Sequence, residues 1–177
     1  MQLELMQTKI TVRAGDLTAQ NDCDAIVNSA NSSMLAGSGV CGAIHRAAGR
    51  ELEKYGKLLG PLKLGQAVIT PGFNLSNKYV IHLSAPKYNI DPDPPANLAL
   101  SLNNALKLAE ENYVKRIAFP AIGTGIYGYP INEAINIFIH SASCFIESKV
   151  LEEIRFVFFS VEDAEIMQLK LHSIGLI

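Results

Sequence analysis

Two glycine-rich segments, Gly37-Ser38-Gly39-Val40-Cys41-Gly42 and Gly123-Thr124-Gly125-Ile126-Tyr127-Gly128, each stand where an apolar strand runs into a helix. One such turn says little, because glycine marks any tight strand-to-helix connection. Two of them in a chain of this size suggest two walls of backbone N–H groups closing on one anion. Amides at a helix start bind phosphate without any lysine, and successive amides in a turn form a concave anion nest. The chemistry expected is capture of a diphosphate between the two loops.

The elements that must position these loops follow from hydrophobic periodicity. Lys9–Arg13 alternates as a strand that ends at Gly15-Asp16, and Ala25–Val27 is a short apolar strand bounded by asparagines. Gly39 to about Tyr55 reads as one helix, with Val40, Ala43, Ile44, Ala47 and Ala48 on its apolar face. Ala67–Thr70 and Tyr79–Leu83 are strands separated by a Pro-Gly turn. Asp91–Pro95 reads as a loop, followed by a helix from Asn97 to Asn112. Arg116–Ile122 is a buried strand whose Pro120 points to a strand end or a bulge. Pro130 starts a further helix, Ile154–Phe159 is the last strong strand, and Asp163–His172 the last helix. Strands alternating with helices imply a largely parallel sheet covered on both faces, with ligands gathered at the carboxyl ends of the strands.

At 177 residues, the chain is most simply one domain spanning residues 1–177. Hydrophobic residues make up 49% and charged residues 18%, which fits a packed globule and argues against disorder. The net charge is -2 and no Lys/Arg-rich run occurs, so sequence-specific nucleic-acid binding is not expected. The three cysteines (Cys23, Cys41 and Cys144) form no CxxC pair and are not grouped with histidine at ligand spacing. No metal or cofactor is therefore expected, and reduced thiols point to the cytoplasm. Met1–Glu4 lacks the basic-then-apolar pattern of a signal peptide. Ile131–Ile146, the most apolar helix candidate, is too short and too polar to span a bilayer. A Rossmann-type oxidoreductase fails on spacing, since no G-x-G-x-x-G opens the first helix after the first strand with a ribose-binding acid about 20 residues on.

Four motifs in order carry a family resemblance: Gly15-Asp16-Leu17-Thr18; Ala25 to Asn31; Gly39 to Gly49; and Ile117 to Pro130. Over roughly residues 9 to 172 the chain resembles the macrodomain family. The resemblance implies a three-layer α/β/α sandwich on a mixed six-stranded central sheet. It also implies binding of ADP-ribose or of an ADP-ribosylated macromolecule. Several branches of the family hydrolyse ADP-ribosyl linkages, O-acetyl-ADP-ribose among the substrates.

Roles for individual residues follow from the resemblance, some beside a plainer alternative. Asp16 would accept a hydrogen bond from the adenine amine, with the Leu17 amide as a second contact; turn chemistry is the alternative. Asn31 would point at the distal ribose and hold a water, while Asn28 is either a ligand contact or a loop brace. Gly37, Ser38, Gly39 and Val40 would deliver amides to the distal ribose and one phosphate. Gly123, Thr124, Gly125, Ile126 and Tyr127 would cradle both phosphates, with the Thr124 hydroxyl added and Tyr127 covering the distal ribose. Phe159 would stack on adenine, with core packing as its competitor. His45 and His82 are given no role.

One departure bears on catalysis. In the hydrolytic branch most like this loop an aspartate stands where this chain has Cys41, and Ser38 replaces a common glycine. A neutral thiol is a poor acceptor and a poor general base. Three accounts follow: hydrolysis with Asn31 and the substrate's diphosphate positioning a water; a binding module without turnover; or Cys41 itself as the active group.

Overall fold

The computed structural model describes residues 7–177; the Met1–Glu4 reading lies outside them. Six strands form one sheet: β1 (Lys9–Ala14), β2 (Ala25–Ser29), β3 (Ala67–Pro71), β4 (Tyr79–Leu83), β5 (Arg116–Phe119) and β6 (Glu153–Phe158). Their order across the sheet is β1-β6-β5-β2-β4-β3. Every pairing is parallel except β3 with β4, which the Pro-Gly connection makes antiparallel. The sheet is therefore mixed, as expected.

Alternation along the strands builds both faces. Ala25, Val27, Ile117, Phe119, Ile154, Phe156 and Phe158 face a larger core with α3 (Pro94–Glu111), α4 (Ile131–Ser143) and α5 (Val161–Ser173). Ile26, Val80, Ala118 and Val157 face the opposite layer of α1 (Gly39–Ala48) and α2 (Arg50–Leu59). Both layers bury apolar side chains against the sheet, which gives the three-layer α/β/α sandwich. Among the described residues, no helix is long and apolar enough to cross a membrane.

Three expected boundaries are corrected. The single helix from Gly39 to Tyr55 is two, because Gly49 takes φ 90° and turns the chain before Arg50. Its amide still caps the His45 carbonyl at 3.0 Å, so glycine here ends a helix rather than riding within one. The Asp91–Pro95 loop ends early: Pro94 and Pro95 form the first turn of α3, where a missing N–H costs nothing. Asp93 caps that turn, its side chain accepting from the Ala96 amide at 3.4 Å. The strand from Arg116 stops at Phe119, and Pro120 marks its end.

Candidate functional site

The two glycine loops meet because β2 and β5 are neighbours in the sheet. Beyond β2, Asn31 braces its own loop: its Nδ2 donates to the Leu35 carbonyl at 2.8 Å and its Oδ1 accepts the Leu35 amide at 3.1 Å. Each amide atom of Asn31 keeps one further bonding position. Helix α1 then opens at Gly39. The amides of Gly39, Val40 and Cys41 have no acceptor among the described residues. After β5, Gly128 N–H bonds Gly125 O at 3.0 Å and Tyr129 N–H bonds Gly123 O at 2.9 Å, closing the second loop on itself. That closure leaves the amides of Gly123, Gly125, Ile126 and Tyr127 without acceptors among the described residues.

Between these two rows of amides lies a cavity of about 310 Å³. Gly37–Cys41 form one wall, Gly123 and Gly125–Tyr127 the other, and Ser29, Asn31, Pro120 and Ala121 complete the lining. An adjoining cavity of about 190 Å³ shares Gly39, Val40, Pro120, Ala121 and Gly125 with it and extends to Leu17 and Phe159. No charged side chain lines either one. The anion-attracting field in this cleft comes from main-chain dipoles, including the start of α1.

Pairing of β1 with β6 sets the far end, since Ala14 sits opposite Phe158. Asp16 caps a short 3-10 turn over Leu17–Ala19; its Oδ1 accepts from Thr18 N at 2.8 Å and Thr18 Oγ1 at 2.7 Å. The turn role thus occupies one carboxylate oxygen and leaves Oδ2 without a partner among the described residues. Leu17 is buried and lines the smaller cavity. Phe159, one residue past β6, is 77% exposed while Phe158 is 1% exposed, so core packing does not account for Phe159.

For three residues the structure narrows the sequence reading. Thr124 donates both its amide (3.2 Å) and its hydroxyl (2.7 Å) to the Ala121 carbonyl, so neither proton is left for a phosphate. Asn28 lies within β2 and is fully buried, and it does not line the cavity. Its Nδ2 sits 3.1 Å from His82 Nδ1 and 3.7 Å from Cys41 Sγ, a brace beneath the cavity wall. Cys41 does line the cavity, yet its thiol donates to Leu35 O at 3.6 Å, a bond that a carboxylate could not make.

His82, on β4, completes this buried layer. Its Nε2 lies 2.9 Å from Thr70 Oγ1, and burial pushes its pKa down to about 3. Since the Asn28 amide group only donates, His82 Nδ1 accepts and Nε2 carries the proton. Tyr127 is half-buried at the cavity rim; burial raises its phenol pKa, with Cys41 and Asp91 adding to the rise. Lys87 lies over the Tyr127 ring, 5.7 Å from its centroid. Among the described residues, no group of three or more His, Cys, Asp or Glu could hold a metal ion.

Sequence reasoning missed Gly15, Ser29, Pro120, Ala121 and Val157 as lining residues. Pro120 and Ala121 sit inside a quoted motif, but only the strand's end at Phe119 turns them toward the cleft. Ser29 sits inside the Ala25 to Asn31 motif without a role of its own, and nothing in the sequence marks Val157.

The Macro domain family matches residues 27–138, and the chain belongs to that family. It is 42% identical over 168 residues to a Macro domain-containing protein of Mesorhizobium japonicum, covering 94% of each chain. The O-acetyl-ADP-ribose deacetylase of Salmonella typhimurium is 43% identical over 167 residues, covering 91% of this chain and 93% of that protein. Among solved structures, a mutant Oceanobacillus iheyensis macrodomain with ADPR superposes at a TM-score of 0.91 with 36% identity, covering 99% of this chain and 98% of that one.

Proposed function

We propose that the whole chain acts as one macrodomain that binds ADP-ribose, free or attached to a macromolecule, and hydrolyses mono-ADP-ribosyl or O-acetyl-ADP-ribose linkages. One observation carries the binding: two rows of unbonded amides face each other across an uncharged cavity. A diphosphate fits that field. The smaller cavity, with Leu17, Phe159 and the nearby Asp16 carboxylate, takes the adenine; the larger one takes the diphosphate and the distal ribose. The known activity of relatives such as the Salmonella deacetylase supports the hydrolytic part.

For turnover, Asn31 is the polar side chain best placed to hold the attacking water, using the bonding positions that Leu35 leaves. Loop amides would stabilise charge that develops on the ligand in the transition state. Cys41 supplies no base, because its thiol forms a bridge, accepting from Asn28 and donating to the Leu35 carbonyl. That same bridge favours a second reading, an ADP-ribose reader without turnover.

Calorimetric titration with ADP-ribose tests binding, and absence of heat at millimolar ligand defeats it. The two readings separate in a turnover panel over carboxylate-linked, serine-linked, acetylated and nucleic-acid-linked ADP-ribose. Release above the Asn31→Ala control on any substrate is the outcome expected of a hydrolase; none on all four leaves the reader. Cys41→Asp supplies the missing base and is expected to raise turnover by about 100-fold, the scale of a positioned general base. A thiol mechanism predicts the reverse, so loss of activity in Cys41→Ala would revive it.

A further inference from the structure

Arg155 is a buried cation that the proposed reaction does not use. It is 1% exposed on β6, on the face of the sheet opposite Phe156. Its five N–H groups make five bonds. Asp22 takes two at 2.7 Å each, Glu153 takes two at 2.8 and 3.1 Å, and Gln20 Oε1 takes the last at 2.9 Å. The two carboxylates already more than offset the single positive charge, so the fifth bond is not needed for neutralisation.

Gln20 spends the other end of its amide on the segment that carries Asp16. Its Nε2 donates to the Asp16 carbonyl at 2.8 Å. From the opposite side, Asn77 Nδ2 donates to the Gln20 and Cys23 carbonyls, at 2.8 Å each. Gln20 is therefore held at both its backbone and its side chain, and Asp16 is held through it. Since Asp16 Oδ1 is engaged by Thr18, the direction of the open Oδ2 depends on where the Asp16 backbone is fixed.

We propose that Gln20, anchored by Arg155, is a positioning residue that aims the Asp16 carboxylate and so sets preference for a base with an exocyclic amine. The inference rests on the nucleotide-binding reading above. It names the feature that selects adenine over a base bearing a carbonyl at the same position, which would meet the carboxylate acceptor to acceptor.

ADP and IDP test it, because they share sugar and diphosphate and differ only at the exocyclic amine, a carbonyl in IDP, and in the ring-nitrogen proton that accompanies the carbonyl. By calorimetry the parent chain is expected to prefer ADP by roughly 10-fold or more, the value of a hydrogen bond to a charged acceptor. Gln20→Met keeps the side-chain length without its polar atoms. It is expected to bring the two affinities within about 3-fold, chiefly by weakening ADP. Asp22→Asn, which loosens the arginine's ion pair but leaves the bridge, is expected to lower the thermal midpoint and retain the preference. Should Gln20→Met fail to fold, Gln20→Asn, one methylene too short to span both partners, carries the same expectation. An unchanged ADP preference in the folded Gln20 variant overturns the proposal while leaving nucleotide binding intact. A parent chain that binds both nucleotides equally overturns it through Asp16, and one that binds neither removes the reading beneath it.

Discussion

Gly125→Val is expected to leave the fold standing and to weaken ADP-ribose binding by about 100-fold or more, roughly 3 kcal/mol. A Cβ added at Gly125 meets no protein atom within 4 Å, and the backbone there is outside the left-handed region. The substitution therefore neither strains the loop nor overpacks a core. Gly125 also lines both cavities. Two added methyl groups enter the space assigned to the diphosphate and hold it away from the amide row. The measurement pairs a melting curve with an ADP-ribose titration. Undiminished affinity in a chain that melts normally would place the ligand somewhere other than between the loops.

The second large effect concerns acid. His82 is neutral when folded, with Nδ1 facing an N–H donor and burial opposing a charge. Its pKa falls to about 3, against 6.5 for the exposed ring. The sign follows from proton counting. Below pH 6.5 the unfolded chain binds a proton that the folded chain does not, so stability declines as pH falls, until about pH 3. The slope for one group is about 1.4 kcal/mol per pH unit, so roughly 2–3 kcal/mol is lost between pH 6.5 and 4.5. His45 acts in the same direction, its pKa also lowered by burial, with Glu53 opposing. The carboxylates of Asp22 and Glu153 are held low beside Arg155, so their stabilisation is present above the ordinary carboxylate range and is lost only at lower pH. Denaturant titrations at pH 7, 5.5 and 4.5 on the parent chain and His82→Gln separate these contributions. The variant starts less stable, for its lost packing and bonds, but its decline should be shallower. Identical slopes would show that His82 does not titrate on unfolding.

Why one histidine has this weight was not legible in the chain. His82 reads as one residue of an apolar strand, and its partners Thr70 and Asn28 come from β3 and β2 on either side. Cross-strand register, which no local pattern states, brings the three into one layer. Asn28 shows the same limit. Beside Asn31 it reads as either a second ligand contact or a brace, and only strand alternation, which turns it under the wall that Asn31 lines, decides for the brace. Thr124 illustrates a smaller one: its hydroxyl was available on paper and is spent on a carbonyl three residues back. Gly49 was readable in principle. Its effect as a helix stop was masked by Leu52, which continues the apolar spacing four residues beyond Ala48.

By itself, the chain determined the local chemistry. Glycine spacing announced two loops able to expose amides, period-two runs announced the strands, and the lack of any Lys/Arg-rich run pointed to the backbone as the partner of an anion. These properties are local, because they depend on dihedral freedom and on side chains a few residues apart. Only the tertiary structure decided how those parts face one another. The order β1-β6-β5-β2 places Leu17 and Phe159 at one end of a cleft and the two glycine loops across from each other at the other end. It also routes a buried arginine through Gln20 to the Asp16 backbone. Strand order is settled by burying both faces of the sheet at once, a sum over the whole chain that no segment carries alone.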